Sequence, residues 1–329
     1  MRYNRLDLNL LVCLDALIAE RSVTRAAERV FLGQSAMSSA LGRLRAHFKD
    51  EILINAGRSM TLTALGRSLA RPVRDILLQV QAVTSLAPTF DPSQSERHIS
   101  LVASDYVANV FLTALVPRLA ALAPRMSLEI RMMNVRYKEE FDSGEVDLMV
   151  APDSLLVGSH PSEALFEDGF SSVVWRDNPF ISASLSAAKY LSMGHVGIEW
   201  GGGRLRSIDE EAMRGRGETR RIEVVVPFFS LAAPLVVGTL RIATVQTRLA
   251  HLMAGKWPLR VLPCPVPMPR IVEAVQWHRH ADTDPTIRWL RTQLKTVADE
   301  LTAASSTPSP ATRSTRPTRR IRAKAGLGR

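Results

Sequence analysis

The sequence predicts an α+β multidomain chain: an N-terminal winged helix-turn-helix, a long linker helix and a C-terminal two-lobed α/β domain. Three observations predict it. Residues 22–48, SVTRAAERVFLGQSAMSSALGRLRAHF, read as two short helices about a tight turn. Residues 50–83 read as a β-hairpin followed by a helix with a heptad-like apolar seam. From about Arg97, strands and helices alternate. The expected divisions are 1–62 for the winged domain, 63–90 for the linker helix, 91–302 for the α/β domain and 303–329 for a basic tail.

Each N-terminal element follows from spacing. Leu10, Leu11, Leu14, Leu17 and Ile18 stripe a helix from about Leu6 to Glu20. In the next helix the Ala26-Ala27 pair leaves room for a close helix crossing, and the turn falls at Leu32-Gly33. Met37, Leu41, Leu44 and Phe48 then form one apolar stripe on the second helix of the motif. Its other faces carry Gln34, Ser35, Ser38, Ser39, Arg43 and Arg45, whose hydroxyls, amide and guanidinium groups suit base edges and phosphates. Thr24, at the start of the first helix, joins this candidate DNA-binding set. An ordinary core hairpin of helices has the same periodicity, and the flanking elements argue against it. Residues 50–62, DEILINAGRSMTL, form the expected wing, with Gly57 at its turn and Arg58 at its tip. Leu65, Leu69, Val73, Ile76, Val80 and Val83 then repeat at spacings of four and three, suited to pairing with a second copy. Pro72 should kink that helix.

Beyond Arg97, HISLVAS (98–104), LEIRMMN (128–134) and VDLMVAP (146–152) read as strands, with helices over 105–122 and 138–143 between them. The pattern resumes with SSVVW (171–175), HVGIEW (195–200), RIEVVV (221–226) and RIATV (241–245), with helices near 207–216, 229–237 and 248–254. LRVLPCPVP (259–267) and IVEAVQWH (271–278) lead to a last helix over 286–302. The alternation predicts a mainly parallel sheet; were the domain built of two α/β halves, the chain would cross between them near 167–170 and 263–269.

Composition fits a cytoplasmic protein with real cores. The chain has 329 residues, 46% of them hydrophobic, and two distant cysteines, Cys13 and Cys264, which imply no disulfide framework. Asp7, Asp15 and Glu20 interrupt the N-terminal apolar stretch, so no signal peptide is expected. The longest uncharged run, 224–240, is broken by Pro227, Pro234 and Gly238 and is too short for a membrane span. Of the net charge of +10, seven positive charges lie in the acid-free segment 303–329, leaving +3 on residues 1–302. The tail therefore accounts for most of the basicity. Its Ser, Thr, Pro and Ala content predicts disorder, either inert or acting as a sequence-independent DNA arm.

Enzyme signatures are weak. His278 and His280 are expected to alternate sides of a strand without a third metal ligand. Gly201-Gly202-Gly203 lacks the lysine and spacing of a phosphate loop, and Gly33 to Met37 lacks the second glycine of a nucleophile elbow. No catalytic residue, metal or cofactor is expected.

The pieces DLNLLVCLDALIAERSVTRAAE, QSAMSSALGRLR and the wing ending in LTALG resemble the LysR-type transcriptional regulators, over about residues 1–300. Within that family the chain is most similar to the branch of rhizobial nodulation activators (NodD type) and aromatic-catabolism regulators. MRYNRLDLNLLVCLDAL, SDYV at 104–107, LSMGHV at 191–196, RRIEVVV at 220–226 and EAVQW at 273–277 carry the narrower similarity. The chain departs from the family pattern where Gly33 replaces a usual serine, Ser35 a common proline and Asn55 a common arginine. The first removes a helix-capping hydroxyl and the third a phosphate contact.

The resemblance implies a periplasmic-binding-protein-like inducer domain whose ligand sits between the halves, at strand ends and helix starts. Ser104, Asp105, Asn134, His195, Trp200, Arg204 and Phe228 are the candidate inducer-binding residues. Trp200 and Phe228 are suited to stacking, and Arg204 or the helix start at Ser104 to receiving a carboxylate or phenolate. The implied partners are double-stranded promoter DNA, an aromatic or flavonoid-like inducer and a second copy in a homodimer or homotetramer, with RNA polymerase a candidate and no membrane. Two alternatives stand beside this: a DNA-binding protein that needs no inducer, and a metabolic enzyme carrying a helix-turn-helix.

Overall fold

A computed structural model describes residues 2–3, 6–57, 59–84, 90–200 and 205–306. Arg58, Gly201 to Arg204 and the tail beyond Ser306 lie outside the described residues. At the N-terminus β1 (Arg2–Tyr3) pairs antiparallel with β2 (Leu6–Asp7). Three helices follow: α1 (Asn9–Glu20), α2 (Val23–Arg29) and α3 (Gln34–Phe48). The Ser22 hydroxyl caps α2 by accepting from the Arg25 N–H, and α1 stops where Arg21 turns left-handed at φ 47°. The expected stripes are the core. Leu10, Leu14, Leu17, Ala26, Ala27, Met37, Leu41 and Leu44 are all buried in one cluster.

The wing is β3 (Leu53–Ala56) and β4 (Ser59–Leu62), paired antiparallel from Leu53↔Leu62 to Ala56↔Ser59. The linker helix α4 (Ala64–Thr84) runs unbroken through Pro72, so the expected kink does not end the helix. Its seam divides. Val73 is buried against the winged-domain core and Leu69 packs beside it, whereas Ile76, Val80 and Val83 are exposed in the single chain.

The chain then enters the first lobe through β5 (His98–Ala103), α5 (Asp105–Val107), a π-helical stretch over Ala108–Leu112, and α6 (Thr113–Leu122). β6 (Ser127–Met132), α7 (Tyr137–Asp142), β7 (Leu148–Pro152) and β8 (Ser162–Asp168) complete the outward pass. The second lobe runs β9 (Phe170–Trp175), α8 (Ala187–Ser192), β10 (Gly194–Trp200), β11 (Leu205–Arg206), α9 (Ile208–Gly215) and β12 (Arg221–Val226). It continues with α10 (Phe229–Ala232), β13 (Ile242–Gln246), α11 (Thr247–Ala254) and β14 (Leu259–Pro263). β15 (Ile271–Trp277) and α12 (Pro285–Ser306) return to the first lobe.

The sheets are mixed, not mainly parallel. In the first lobe the order is β6-β5-β7-β15-β8: β5 pairs parallel with β6 and β7, and β15 antiparallel with β7 and β8. The second lobe repeats the plan, with β10 parallel to β12 and β13, and β9 antiparallel to β13 and β14. The reason is connectivity. Strands that continue within the first lobe share one direction, β8 included, whereas β15 arrives from the other lobe and runs against both of its neighbours. The chain crosses between lobes at Gly169 and again over 264–270, as the sequence predicts. The helix expected over 229–237 is only the four-residue α10 followed by a 3-10 turn at Pro234–Val236, because proline lacks the N–H that an α-helix needs. One contiguous apolar core, including Phe111, Phe166, Val173, Val196 and Leu249, spans both lobes.

One further expectation changes. β15 ends at Trp277 and His280 lies in a 3-10 turn, so His278 and His280 do not alternate across a strand; their rings lie 5.1 Å apart. A third imidazole, His160, lies 4.4 Å from His278. Among the described residues no group of His, Cys, Asp or Glu has the arrangement to hold a metal. One helical segment, Asp105–Leu122, is apolar and long enough to span a membrane, but its Phe111, Leu112, Leu115 and Leu119 pack in the core.

Candidate functional site

The DNA-facing candidates sit on α2 and α3. Thr24, Gln34, Ser35, Ser38 and Ser39 are exposed, opposite the buried Met37–Leu41–Leu44 stripe. Gly33 caps α3 through its backbone alone, with no side-chain hydrogen bond, as expected where serine is absent. Arg43 and Arg45 differ. Arg43 is half-exposed and pairs with Asp7 at 3.0 Å; that contact holds the Asp7 carboxyl below its usual range. Arg45 donates to the Glu51 and Leu53 carbonyls at 2.9 Å each and pairs with Glu51, tying the recognition helix to the wing. Arg58 lies outside the described residues.

A cleft between the lobes encloses about 600 Å³ of empty space, part of it open to solvent. Its walls are largely apolar: Met132, Met133, Pro152 and Leu155 from the first lobe, and Phe170, Trp200, Ile208 and Phe228 from the second. Both strand ends and helix starts feed it, as the fold dictates.

Of the seven candidate inducer residues, four line the cleft. The Ser104 hydroxyl is turned to its own helix, accepting from the Val107 N–H at 3.2 Å. Asp105 spans the cleft: its two carboxyl oxygens accept from the Phe229 and Ser230 N–H groups at 3.0 and 2.7 Å, so a first-lobe side chain holds the first turn of second-lobe helix α10. Trp200 faces Tyr137 of the other lobe with ring centroids 6.4 Å apart, and Phe228 lies 39% exposed at the start of α10.

Two candidates do not reach the cleft. Asn134 closes its own loop, accepting from the Arg136 N–H and donating to the Glu140 carboxylate. A short polar side chain after a strand satisfied its own backbone instead. His195 is fully buried, its Nε2 bonded to the Tyr190 carbonyl at 2.7 Å, and burial pushes its pKa down to about 4. It belongs to the polar core around Tyr190, Arg220 and Asp209. Arg204 lies outside the described residues.

Sequence reasoning missed Ser207, Gln246 and Glu273, which all line the cleft. Ser207 Oγ, Gln246 Oε1, Glu273 Oε2 and the Trp200 Nε1 are buried with no hydrogen-bond partner among the described residues. The available signal was Glu273, a lone acid inside the apolar strand IVEAVQW. Burial, reinforced by Asp168 and Asp153, pushes its pKa up to about 8.

Residues 8–67 match the bacterial regulatory helix-turn-helix protein of the lysR family, and residues 92–299 match the LysR substrate binding domain. The chain belongs to the LysR family of transcriptional regulators. It is 42% identical over 307 residues to Nodulation protein D 1 of Rhizobium tropici, covering 93% of this chain and 99% of that one. Full-length OxyR of Pseudomonas aeruginosa shares the fold, with a TM-score of 0.70 at 18% identity over 90% of this chain and 95% of that one. So does full-length CbnR solved with its target DNA, with a TM-score of 0.55 at 16% identity over 90% of this chain and all of that one. The protein is a DNA-binding transcriptional regulator of NodD-like type, controlled by a small-molecule inducer.

Proposed function

We propose that the inducer is a small aromatic, flavonoid-like compound bound in the cleft between the lobes, and that the protein is not an enzyme. The carrying observation is the cleft's composition: aromatic and methionine walls from both lobes around unpartnered polar atoms. Such a site suits a planar ring bearing a few polar substituents. Ser104, Asp105, Trp200, Arg204 and Phe228 remain the proposed inducer contacts, now with Gln246 and Glu273 added, and without Asn134 and His195. Thr24, Gln34, Ser35, Ser38, Ser39, Arg43 and Arg58 are the proposed contacts to promoter DNA, with Arg45 acting through the wing. The working division is a winged domain over 1–62, a linker over 63–90 and the inducer domain over 91–302, in a cytoplasmic homodimer or homotetramer paired through the exposed end of the α4 seam.

Thermal melting of the full-length protein against hydroxyflavones, hydroxybenzoates and amino acids tests this reading. A ligand at a hundredfold excess over its Kd adds about 2.7 kcal/mol of stability. Stabilisation by a hydroxyflavone, reduced in Phe228→Ala, is the expected result. No shift with any compound would favour a DNA-binding protein that needs no inducer.

A further inference from the structure

We propose that Glu273 sets which ligands the cleft accepts: its carboxyl is a hydrogen-bond donor to a neutral aromatic compound bearing carbonyl or hydroxyl groups, and it disfavours aromatic carboxylates. This rests on the cleft being the inducer site.

The placement is specific. Glu273 lies on β15, the strand that returns from the second lobe, opposite Pro152 of β7 and Phe166 of β8. The β15–β8 register shifts between Glu273 and Ala274. Such an irregularity re-aims a side chain, here in a strand otherwise set by its apolar neighbours. The residue is 1% exposed, lines the cleft, and leaves Oε2 without a partner. A buried acid of purely structural use is ordinarily hydrogen-bonded or ion-paired. No Lys, Arg or His is among the described residues lining the cleft.

Burial therefore keeps the proton on Glu273 at neutral pH, since its pKa is pushed up to about 8. A protonated carboxyl offers one O–H donor as well as an acceptor. Around it Trp200 Nε1 supplies a second donor and Gln246 Oε1 an acceptor, both unpartnered. A ring system carrying a carbonyl and a hydroxyl satisfies donors and acceptors together. An aromatic carboxylate instead brings a charge into a cleft whose described lining already holds Asp105 and no Lys, Arg or His.

The test uses the full-length protein and two probes, 7-hydroxyflavone and 4-hydroxybenzoate, titrated calorimetrically at pH 7 and 9. Wild type, Glu273→Gln and Glu273→Ala are compared. Glu273→Gln keeps shape and a donor, so it guards against a folding defect. The expected result is hydroxyflavone binding to wild type that weakens about tenfold more between pH 7 and 9 than in Glu273→Gln, because the ligand's own ionisation is common to both. Glu273→Ala should lose about tenfold in affinity at pH 7. Tighter binding of 4-hydroxybenzoate than of 7-hydroxyflavone overturns the proposal. So do equal affinities and pH profiles in all three proteins, which leave the cleft standing as the ligand site. Binding of neither probe, with no melting shift across the wider ligand set, overturns both.

Discussion

Arg43 and Arg45 lie two positions apart on α3, and the structure gives them different work. Arg45 is spent on the Glu51 and Leu53 carbonyls, which fix the wing to the recognition helix. Among the described residues Arg43 is held by Asp7 alone at an exposed site, a contact that phosphate or a base edge can replace. Arg43→Ala should weaken operator binding by about 1–3 kcal/mol if it reads a base, with an unchanged melting temperature; a gel-shift titration measures it, and equal affinity would remove Arg43 from the contact set. The stripe spacing made the faces of α3 readable from sequence. It could not separate the two arginines, because that difference depends on the position of the wing. The cleft shows the same boundary. Trp200 and Phe228 were legible as aromatics at strand ends. Asn134 had the right residue type in the loop after β6, but the Arg136 N–H and the Glu140 carboxylate occupy it; His195 lies buried inside strand β10, with its Nε2 on the Tyr190 carbonyl. Glu273 was overlooked because an acid in an apolar strand looks like an edge position until both neighbouring strands are known.

At the scale of elements, α4 is a joint between the two ends of the molecule. Arg74 donates to Asp15 on α1 at 2.8 Å and to the Ser143 and Gly144 carbonyls at 2.6 Å each, so one side chain binds linker, winged domain and first lobe. Asp75 faces His280 at 3.6 Å, and Leu78 packs on Gly144. Gly144 has φ +68°, and a Cβ there would stand 2.4 Å from Leu78 Cδ1. Gly144→Ala should therefore cost about 1–3 kcal/mol through backbone strain and overpacking. Chemical denaturation of the full-length protein reads that loss, and an unchanged midpoint would mean that α4 is not docked as described. The seam of α4 was legible in the sequence. The contrast between Leu69 and Val73, packed on the winged-domain core, and the exposed Ile76, Val80 and Val83 was not, because it depends on which side of α4 the winged domain of the same chain covers.

At the scale of the whole molecule, buried titratable groups set opposing pH trends. His195 and His278 are pushed down to about 4 by burial. Their ordinary value is near 6.5, so the stability they carry is full above that pH and is lost as pH falls toward 4. Glu273 is pushed up to about 8, so its contribution is full below about 4.5 and is lost as pH rises through 8. Together these three groups place maximum stability near pH 6.5, and Glu273→Gln should flatten the alkaline decline; a melting series from pH 4 to 9 checks both. The positions of both crossings were legible in the order of elements, and the two-lobed plan followed from the family resemblance. The reversed strands β9 and β15 were not legible, because each is entered from the other lobe and runs against both of its neighbours. The central claim is that ligand in this cleft and DNA on α3 act on one equilibrium. Coupling of that kind is reciprocal: the factor by which inducer changes operator affinity must equal the factor by which operator changes inducer affinity. Asp105, holding α10 across the cleft, is placed to report which lobe arrangement prevails. The direct measurement is calorimetric titration of the stabilising aromatic compound into full-length protein, free and saturated with operator DNA. The account predicts a Kd that differs between the two by about fivefold or more, matched by the shift in operator affinity. An identical Kd on free and DNA-bound protein would contradict it.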